Sequence, residues 1–233
     1  MRSSSGASCG VVSFYLVFSH FLKVPLNYSD PTGASAAIAM TRIPASVSPE
    51  SADYRGPLLM NPGGPGSSGV DLVRFSGRLF QAIVGPHFDI LGFDPRGVFC
   101  IKLGIPTFFS CIYNHIAGVG HSTPGFSIYT SETERLLVDS EVSAQGHVEL
   151  NETTGSLSHA WAASVIAGKL AQNRTSHVLP FIHTDHTARD MMEIVKAHGR
   201  DKINYWGLSY GSILGGTFAS MFPVCLSLEK CSL

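Results

Sequence analysis

The chain has 233 residues, of which 44% are hydrophobic and 14% are charged, and its formal net charge is −1. This composition predicts a globular protein and excludes a disordered or fibrous one. The near-neutral charge gives no electrostatic reason to expect a nucleic acid or an anionic membrane surface as a partner. The five cysteines form no CxxC pair and no zinc-ligand spacing. The sequence does not decide whether Cys100 and Cys111 form a disulfide.

Residues 1–21 form a segment whose role the sequence leaves undecided. A short apolar run, Val11–Phe18, follows Arg2 and is signal-like, but it has no clean cleavage site and is too short to span a bilayer. Three sequons would permit N-glycosylation of a secreted protein: Asn27, Asn151 and Asn173. The sequons favour a secreted or extracellular location, while a cytoplasmic location stays open.

Residues 22–223 have the pattern of one domain in which strands alternate with helices. The predicted strands are Leu22–Leu26, Ala36–Arg42, Gly56–Met60, Phe88–Phe93 and Ile203–Trp206. The predicted helices are one that begins after Gly69, then 131–145, 156–172, Thr184–Ala197 and Ser212–Phe222. This alternation predicts an α/β fold with a mainly parallel sheet and flanking helices. We expect the strand at Ile203–Trp206 to lie centrally in the sheet beside Phe88–Phe93. We also expect Thr184 or Asp185 to be the N-cap of the helix Thr184–Ala197.

The pentapeptide Gly207-x-Ser209-x-Gly211 lies between a predicted strand and a predicted helix. This context is typical of a nucleophile elbow, in which a strained turn exposes the serine Oγ. Glycine at 207 and 211 avoids collision with the neighbouring strand and helix, and Gly215 lets the helix lie close to the sheet. Such pentapeptides also arise by chance at buried turns, but the strand–turn–helix context favours Ser209 as a nucleophile.

A second glycine-rich segment, Asn61–Gly69, follows a predicted strand and precedes a predicted helix. Its backbone N–H groups are unhindered by side chains, as an oxyanion hole requires. In the fold that an elbow indicates, one oxyanion donor comes from the loop after the third strand and one from the residue after the nucleophile. We therefore expect Gly64 and Tyr210 to be the donors. A phosphate-binding P-loop is disfavoured, because the G-x-x-x-x-G-K-[ST] motif is absent.

Several segments resemble the tripeptidyl-aminopeptidase-like branch of the α/β hydrolases, which is related to the proline iminopeptidases. They include PLLMNPGGPGSSGV at Pro57–Val70, FDILGFDPRGV at Phe88–Val98 and NYWGLSYGSILGGTFASMFP at Asn204–Pro223. The resemblance implies an α/β-hydrolase fold and a serine exopeptidase that removes short peptides or single residues from free N-termini. It matches Ser209 to the nucleophile and Gly64 to the oxyanion loop. The turn Asp94–Gly97 is interpreted as structural.

The acid and the base of a catalytic triad are missing from their expected place. In α/β hydrolases the order is Ser, then Asp or Glu, then His, yet no histidine follows Ser209 and the only later acid is Glu229. We therefore expect the given chain to lack the C-terminal strands and the triad partners, and to be inactive. The resemblance stops at Pro223. Residues 224–233 are interpreted as a non-homologous tail that arises from an unspliced intron or an equivalent gene-model error.

The segment His183-Thr184-Asp185-His186 is a candidate metal site with no indicated third ligand. We interpret it as the polar start of a helix and expect no metal and no cofactor. The expected partners are a peptide or a small ester or amide substrate, with no nucleic acid and no transmembrane segment.

Two alternatives to a peptidase stay open. An esterase or lipase-like hydrolase would use the same elbow and oxyanion loop, because both features serve any acyl transfer. A non-catalytic pseudo-hydrolase fragment is favoured if the mature transcript ends where this chain ends.

Overall fold

The computed structural model describes residues 18–98, 122–131, most of 133–140, and 155–225. Several sequence-based expectations fall outside these ranges: the signal-like run up to residue 17, the Cys100–Cys111 bridge, the Asn151 sequon, the last residues of the helix at 131–145, and the tail from residue 226. No helix among the described residues has the length and apolar character needed to cross a membrane.

Five strands form one mixed sheet with a parallel core. The strands are β1 (Phe18–Pro25), β2 (Ser35–Ile43), β3 (Gly56–Asn61), β4 (Phe88–Phe93) and β5 (Asn204–Gly207). Their spatial order is β1-β2-β4-β3-β5. β1 pairs with β2, and β2 with β4, in antiparallel fashion, whereas β3 is parallel to both β4 and β5. The predicted α/β class is confirmed, and each predicted strand lies within a few residues of an observed one.

The predicted neighbour of the last strand is wrong. β5 does not lie beside β4 but pairs with β3, from Leu58 opposite Asn204 to Asn61 opposite Gly207. The other edge of β4 is already occupied by β2, where Met40 lies opposite Phe93. Of the two strands β3 and β4, β3 is therefore the one with a free edge for a further parallel strand in the part of the chain that the structure describes. As a result, the loops that follow β3 and β5 leave adjacent strands at the same end of the sheet.

Among the described residues, those of 133–140 are helical, as the helix expected at 131–145 predicted, and four further helices have defined bounds. They are α1 (Gly69–Val84), α2 (Ser156–Thr175), α3 (Thr184–Ala197) and α4 (Tyr210–Met221), with short 3-10 turns at Leu179–Phe181 and Pro223–Cys225. The predicted N-cap of α3 is wrong: the cap is His183, which has extended backbone angles and makes no side-chain capping bond. Gly199, with φ of 66°, follows the end of this helix as predicted.

The sheet is covered on both faces, so the core has two parts. On one face, α3 and α4 pack against the sheet through residues that include Leu59, Phe93, Met191, Ile194, Leu214 and Phe218. On the other face, α1 packs through Val73 against Leu58, Met60 and Ile90. Successive residues of β3 alternate between the two faces, which is why this strand is buried along its whole length. β3 thus lies between β4 and β5 and is packed on both faces, so the loops that follow β3 and β5 start from a fully buried strand and its neighbour.

Helix α2 is different, because most of its surface is exposed. Its apolar residues include Leu157, Trp161 and Val165, which are 45%, 73% and 38% exposed. Thr175, at the end of the helix, is its one buried residue. The sequence pattern therefore identified the helix, but among the described residues no element buries its apolar side.

A buried arginine in the turn after β4 ties distant segments together. The Arg96 guanidinium donates to both carboxylate oxygens of Asp190, at 2.7 and 2.5 Å. It also donates to the backbone carbonyls of Leu26, at 2.7 Å, and Pro25, at 3.1 Å. Tyr28 donates a further hydrogen bond to Asp190 at 2.7 Å. This Arg96–Asp190 clamp joins the β1–β2 hairpin, the turn after β4 and α3, which supports the structural interpretation of the turn Asp94–Gly97.

The chain still contacts the domain just after Pro223. The backbone N–H of Ile203 donates to the carbonyl of Cys225 at 2.8 Å. The side chain of Cys225 also packs against the core on the side of α3 and α4. Contact with the domain therefore continues at least two residues beyond Pro223, where the change of pattern was predicted.

Candidate active site

Ser209 lies in the turn between β5 and α4 and has an unusual backbone conformation. Its φ is 52° and its ψ is −124°. Among the described residues it is the only one other than glycine with a positive φ. Such a conformation costs on the order of 1–3 kcal/mol and persists only where the surrounding structure enforces it. The Ser209 side chain is exposed and makes no capping bond to α4, so its Oγ is not used to stabilise the helix.

The turn is held by backbone contacts that leave no room for side chains. A Cβ atom on Gly207 would lie 2.3 Å from the carbonyl oxygen of Gly211. A Cβ atom on Gly211 would lie 2.8 Å from the carbonyl oxygen of Asn61, and one on Gly215 would lie 2.8 Å from the ring of Tyr205. Helix α4 therefore rests directly on β5 and on the end of β3.

The loop after β3 contacts the turn that contains Ser209. Asn61 accepts a hydrogen bond from the Leu208 N–H at its backbone carbonyl, at 2.9 Å. Its side-chain oxygen accepts one from the Gly63 N–H, also at 2.9 Å. A Cβ atom on Gly63 would lie 2.4 Å from the Leu208 carbonyl oxygen and 2.9 Å from the Tyr210 nitrogen. The two glycine-rich segments of the sequence are thus in van der Waals contact.

Asn61 and Gly63 were not given roles by the sequence analysis, which assigned the loop to Gly64. A signal was present, since an asparagine that ends a strand often bonds to the backbone two residues later. Gly64, with φ of 104°, is the next residue of the same loop. Because the Gly63 N–H is engaged by Asn61, the N–H groups of Gly64 and Tyr210 stay the predicted oxyanion donors.

The N-terminus of α4 adds an electrostatic contribution at this point. Tyr210 is the first residue of the helix, so its N–H group belongs to the turn that has no intrahelical acceptor. Such N–H groups and the helix dipole favour a negative charge next to the helix start. Tyr205 fixes the same turn from the strand side, because its hydroxyl donates to the Gly211 carbonyl at 2.8 Å.

Asp94, which directly follows β4, connects to the other end of the glycine-rich loop. Its carboxylate accepts hydrogen bonds from the Ser68 hydroxyl at 2.7 Å and from the Val70 N–H at 3.0 Å. Ser68 is the N-cap of α1 and accepts from the Asp71 N–H at 3.0 Å. Burial raises the pKa of Asp94 to about 7. The sequence analysis placed Asp94 in a structural turn but did not predict this link to the loop.

The start of α3 lies beside the same turn. The Thr184 and Tyr210 hydroxyls are 2.5 Å apart and share a hydrogen bond. Next to Thr184, the structure brings together the possible ligand atoms of His183, Asp185 and His186, all within 4.8 Å of one another. The sequence analysis interpreted this segment as a helix start with no indicated third ligand, whereas the structure brings Asp185 close to both histidines. Burial, followed by the nearby His183, lowers the pKa of His186.

Comparison with known proteins agrees with this geometry. Residues 56–224 match the family described as alpha/beta hydrolase fold. The serine protease Hip1 of Mycobacterium tuberculosis is 32% identical over 227 residues, which are 96% of this chain and 35% of that protein. The tripeptidyl aminopeptidase of Streptomyces lividans is 29% identical over 211 residues, 87% of this chain and 32% of that protein. Carboxylesterase B of Mycobacterium tuberculosis is 42% identical over 78 residues, 33% of this chain and 14% of that protein.

The chain therefore belongs to the α/β-hydrolase-fold family, and two relatives that match most of it are named as a serine protease and a tripeptidyl aminopeptidase. It spans about a third of the length of those relatives.

Proposed function

We propose that this chain carries the nucleophile region of a serine hydrolase in which Ser209 attacks an acyl carbon and the N–H groups of Gly64 and Tyr210 stabilise the resulting oxyanion. The observation that carries the proposal is the positive φ of Ser209 in a strand–turn–helix whose backbone touches the glycine-rich loop after β3. A positive φ is energetically unfavourable for a serine, so its presence here supports a functional role for the Ser209 side chain.

Within the hydrolases, we propose a peptidase that acts at free N-termini. The named peptidases match 87% or more of this chain, whereas the named carboxylesterase matches 33% of it. The esterase alternative uses the same chemistry up to the acyl-enzyme, so the substrate amine is the feature that distinguishes the two.

We expect the 233 residues alone to give negligible steady-state turnover, because no histidine follows Ser209 to act as the base. When a triad member is missing, binding and the oxyanion hole alone still leave a ~10³–10⁴-fold acceleration over water, and the same donors would orient a strong electrophile next to Ser209. A reactive fluorophosphonate should therefore modify Ser209 slowly but selectively. Mass spectrometry of the modified protein would identify the labelled serine.

The matched variants are Ser209→Ala, which should abolish the labelling, and Ser220→Ala, an exposed serine on the same helix, which should not change it. Labelling spread over many serines, or absent from Ser209, would contradict the nucleophile assignment. A tripeptidyl phosphonate with a free N-terminus should label faster than its N-acetylated form. Equal rates for the two would favour the esterase alternative.

A further inference from the structure

We propose that His183, Asp185 and His186 form a binding site for a divalent transition-metal ion such as Zn²⁺, at the N-terminus of α3. The possible ligand atoms of all three side chains lie within 4.8 Å of one another. The proposal concerns the chain's own metal binding and does not depend on the hydrolase function proposed above.

The convergence of the two histidines follows from the way in which α3 begins. His183 is the N-cap, with φ of −102° and ψ of 167°. Because its backbone is extended and not helical, the direction of its side chain does not follow the helical spacing. His186 is three residues later, at the position whose side chain lies closest to that of an N-cap residue. The two rings meet edge to face, with centroids 4.2 Å apart and an interplanar angle of 77°. Asp185 lies between them and contacts His183 through a hydrogen bond between Oδ1 and Nδ1.

The donor set has the chemistry of a transition-metal site. Two imidazoles and one carboxylate suit Zn²⁺, Co²⁺ or Ni²⁺ better than Ca²⁺ or Mg²⁺, which prefer oxygen ligands. Tetrahedral ligands at 2.0–2.1 Å from zinc are ~3.4 Å apart, so small side-chain rotations would close the site. Three protein ligands leave the fourth position open, and the exposure of His183 and Asp185, 47% and 46% for their side chains, lets solvent or a ligand reach it.

His186 supplies an independent reason to expect a ligand. Its side chain is 13% exposed. Neither of its ring nitrogens has a hydrogen-bond partner within the part of the chain that the structure describes. The Nδ1 atom lies 3.6 Å from Asp185 Oδ2, beyond hydrogen-bond range. A buried polar group without a partner is destabilising, and a metal bound to Nδ1 would remove part of that destabilisation.

Aromatic side chains hold the His186 ring in place. The ring of Tyr28 meets it at 5.8 Å and that of Phe181 at 5.9 Å between centroids. A ring that is already fixed loses little rotational freedom when a metal binds, which favours affinity.

Positive charge near the site limits how tightly a cation can bind. The N-terminus of α3 carries the positive end of the helix dipole. Arg189 lies over the Tyr28 ring, but the nearby Arg96 is neutralised by its ion pair with Asp190. We therefore expect a dissociation constant on the order of 10 μM, corresponding to about −7 kcal/mol.

Titration of the purified, folded chain with Zn²⁺ and with Co²⁺ tests the proposal. Calorimetry should give one site with micromolar affinity, and Co²⁺ should develop the visible absorption of a tetrahedral nitrogen–oxygen site. His183→Ala and His186→Ala should each weaken binding by at least ~10-fold. Asp185→Asn, at a half-exposed position that is safe for folding, should weaken it in the same way. His159→Ala, an exposed histidine of α2, is the matched control and should leave the affinity unchanged.

Two results would overturn the proposal. One is the absence of saturable Zn²⁺ binding below 1 mM by folded protein, judged by circular dichroism. The other is micromolar binding that survives in the His183→Ala/His186→Ala double variant, since this would assign the metal to other residues such as the cysteines.

Discussion

At the scale of single residues, Asp94 is a carboxyl group buried at the end of β4, where it holds the start of α1 through Ser68 and Val70. Burial favours its neutral form and raises its pKa to about 7. Between the pKa of an unfolded aspartate and this value, the folded protein binds more protons than the unfolded chain. The stabilisation by the protonated form is thus fully present below about pH 4 and is lost as the pH rises through 7.

Asp94→Asn should remove this loss, because asparagine resembles the neutral acid and its side-chain oxygen can accept the same two hydrogen bonds. We expect the free energy of unfolding of the variant to exceed that of the wild type increasingly from pH 4 to pH 8, by up to ~4 kcal/mol. Urea unfolding at several pH values measures this difference. Asp53→Asn, at an exposed position, is the control. Parallel pH profiles for the wild type and Asp94→Asn would contradict the expectation.

At the scale of elements, the close contact of α4 with β5 depends on which side of the helix a glycine occupies. A Cβ atom on Gly215 would lie 2.8 Å from the Tyr205 ring, whereas one on Gly216 would have no atom within 4 Å. Both glycines lie inside α4, so both substitutions by alanine gain the same helix propensity. Only the packing against β5 differs between them.

Gly216→Ala should raise the free energy of unfolding by ~0.5–1 kcal/mol, because it gains propensity without a clash. Gly215→Ala should lower it by ~1–2 kcal/mol, because the displacement of Tyr205 outweighs that gain. Thermal or urea unfolding of the two variants is a matched comparison. Equal shifts in the same direction would show that α4 does not rest on Tyr205.

Sequence patterns predicted the elements well but not how they are arranged. β3, β4 and α3 have strong local patterns, and their predicted bounds agree closely with the observed ones. The neighbour of β5 was predicted wrongly because it depends on which strand edge is free, and the occupation of β4 by β2 is a long-range contact. The sequence analysis considered the segment His183–His186 and interpreted it as a helix start, because the approach of the three side chains depends on the backbone angles of His183 as the N-cap.

At the scale of the whole molecule, the Arg96–Asp190 clamp is the buried ion pair that joins the most distant segments described. The side chains of Arg96 and Asp190 are 1% and 0% exposed. Removal of one partner from such a pair leaves an uncompensated buried charge, whereas removal of both leaves none.

Asp190→Ala should therefore destabilise the protein by ~3–5 kcal/mol, because Arg96 stays buried without its carboxylate. Tyr28→Phe, which removes one hydrogen bond to the same carboxylate, should cost only ~1 kcal/mol. Urea unfolding measures both values. The double variant Arg96→Met/Asp190→Leu should be more stable than Asp190→Ala alone. If Asp190→Ala and Tyr28→Phe lower the free energy of unfolding by the same amount, the Arg96–Asp190 ion pair does not stabilise the fold as proposed.

The clamp also has a consequence for chain entropy. Its two partners are 94 positions apart in the sequence, yet they are in direct contact. The two ends of the segment between them, which includes α2, are therefore held together by the scaffold. The entropy lost on closing a flexible loop grows only with the logarithm of its length, and each doubling of such a loop costs ~0.6 kcal/mol. A flexible insertion at the exposed Gly155, just before α2, should thus have little effect on the elbow, because the clamp still holds both ends of the segment.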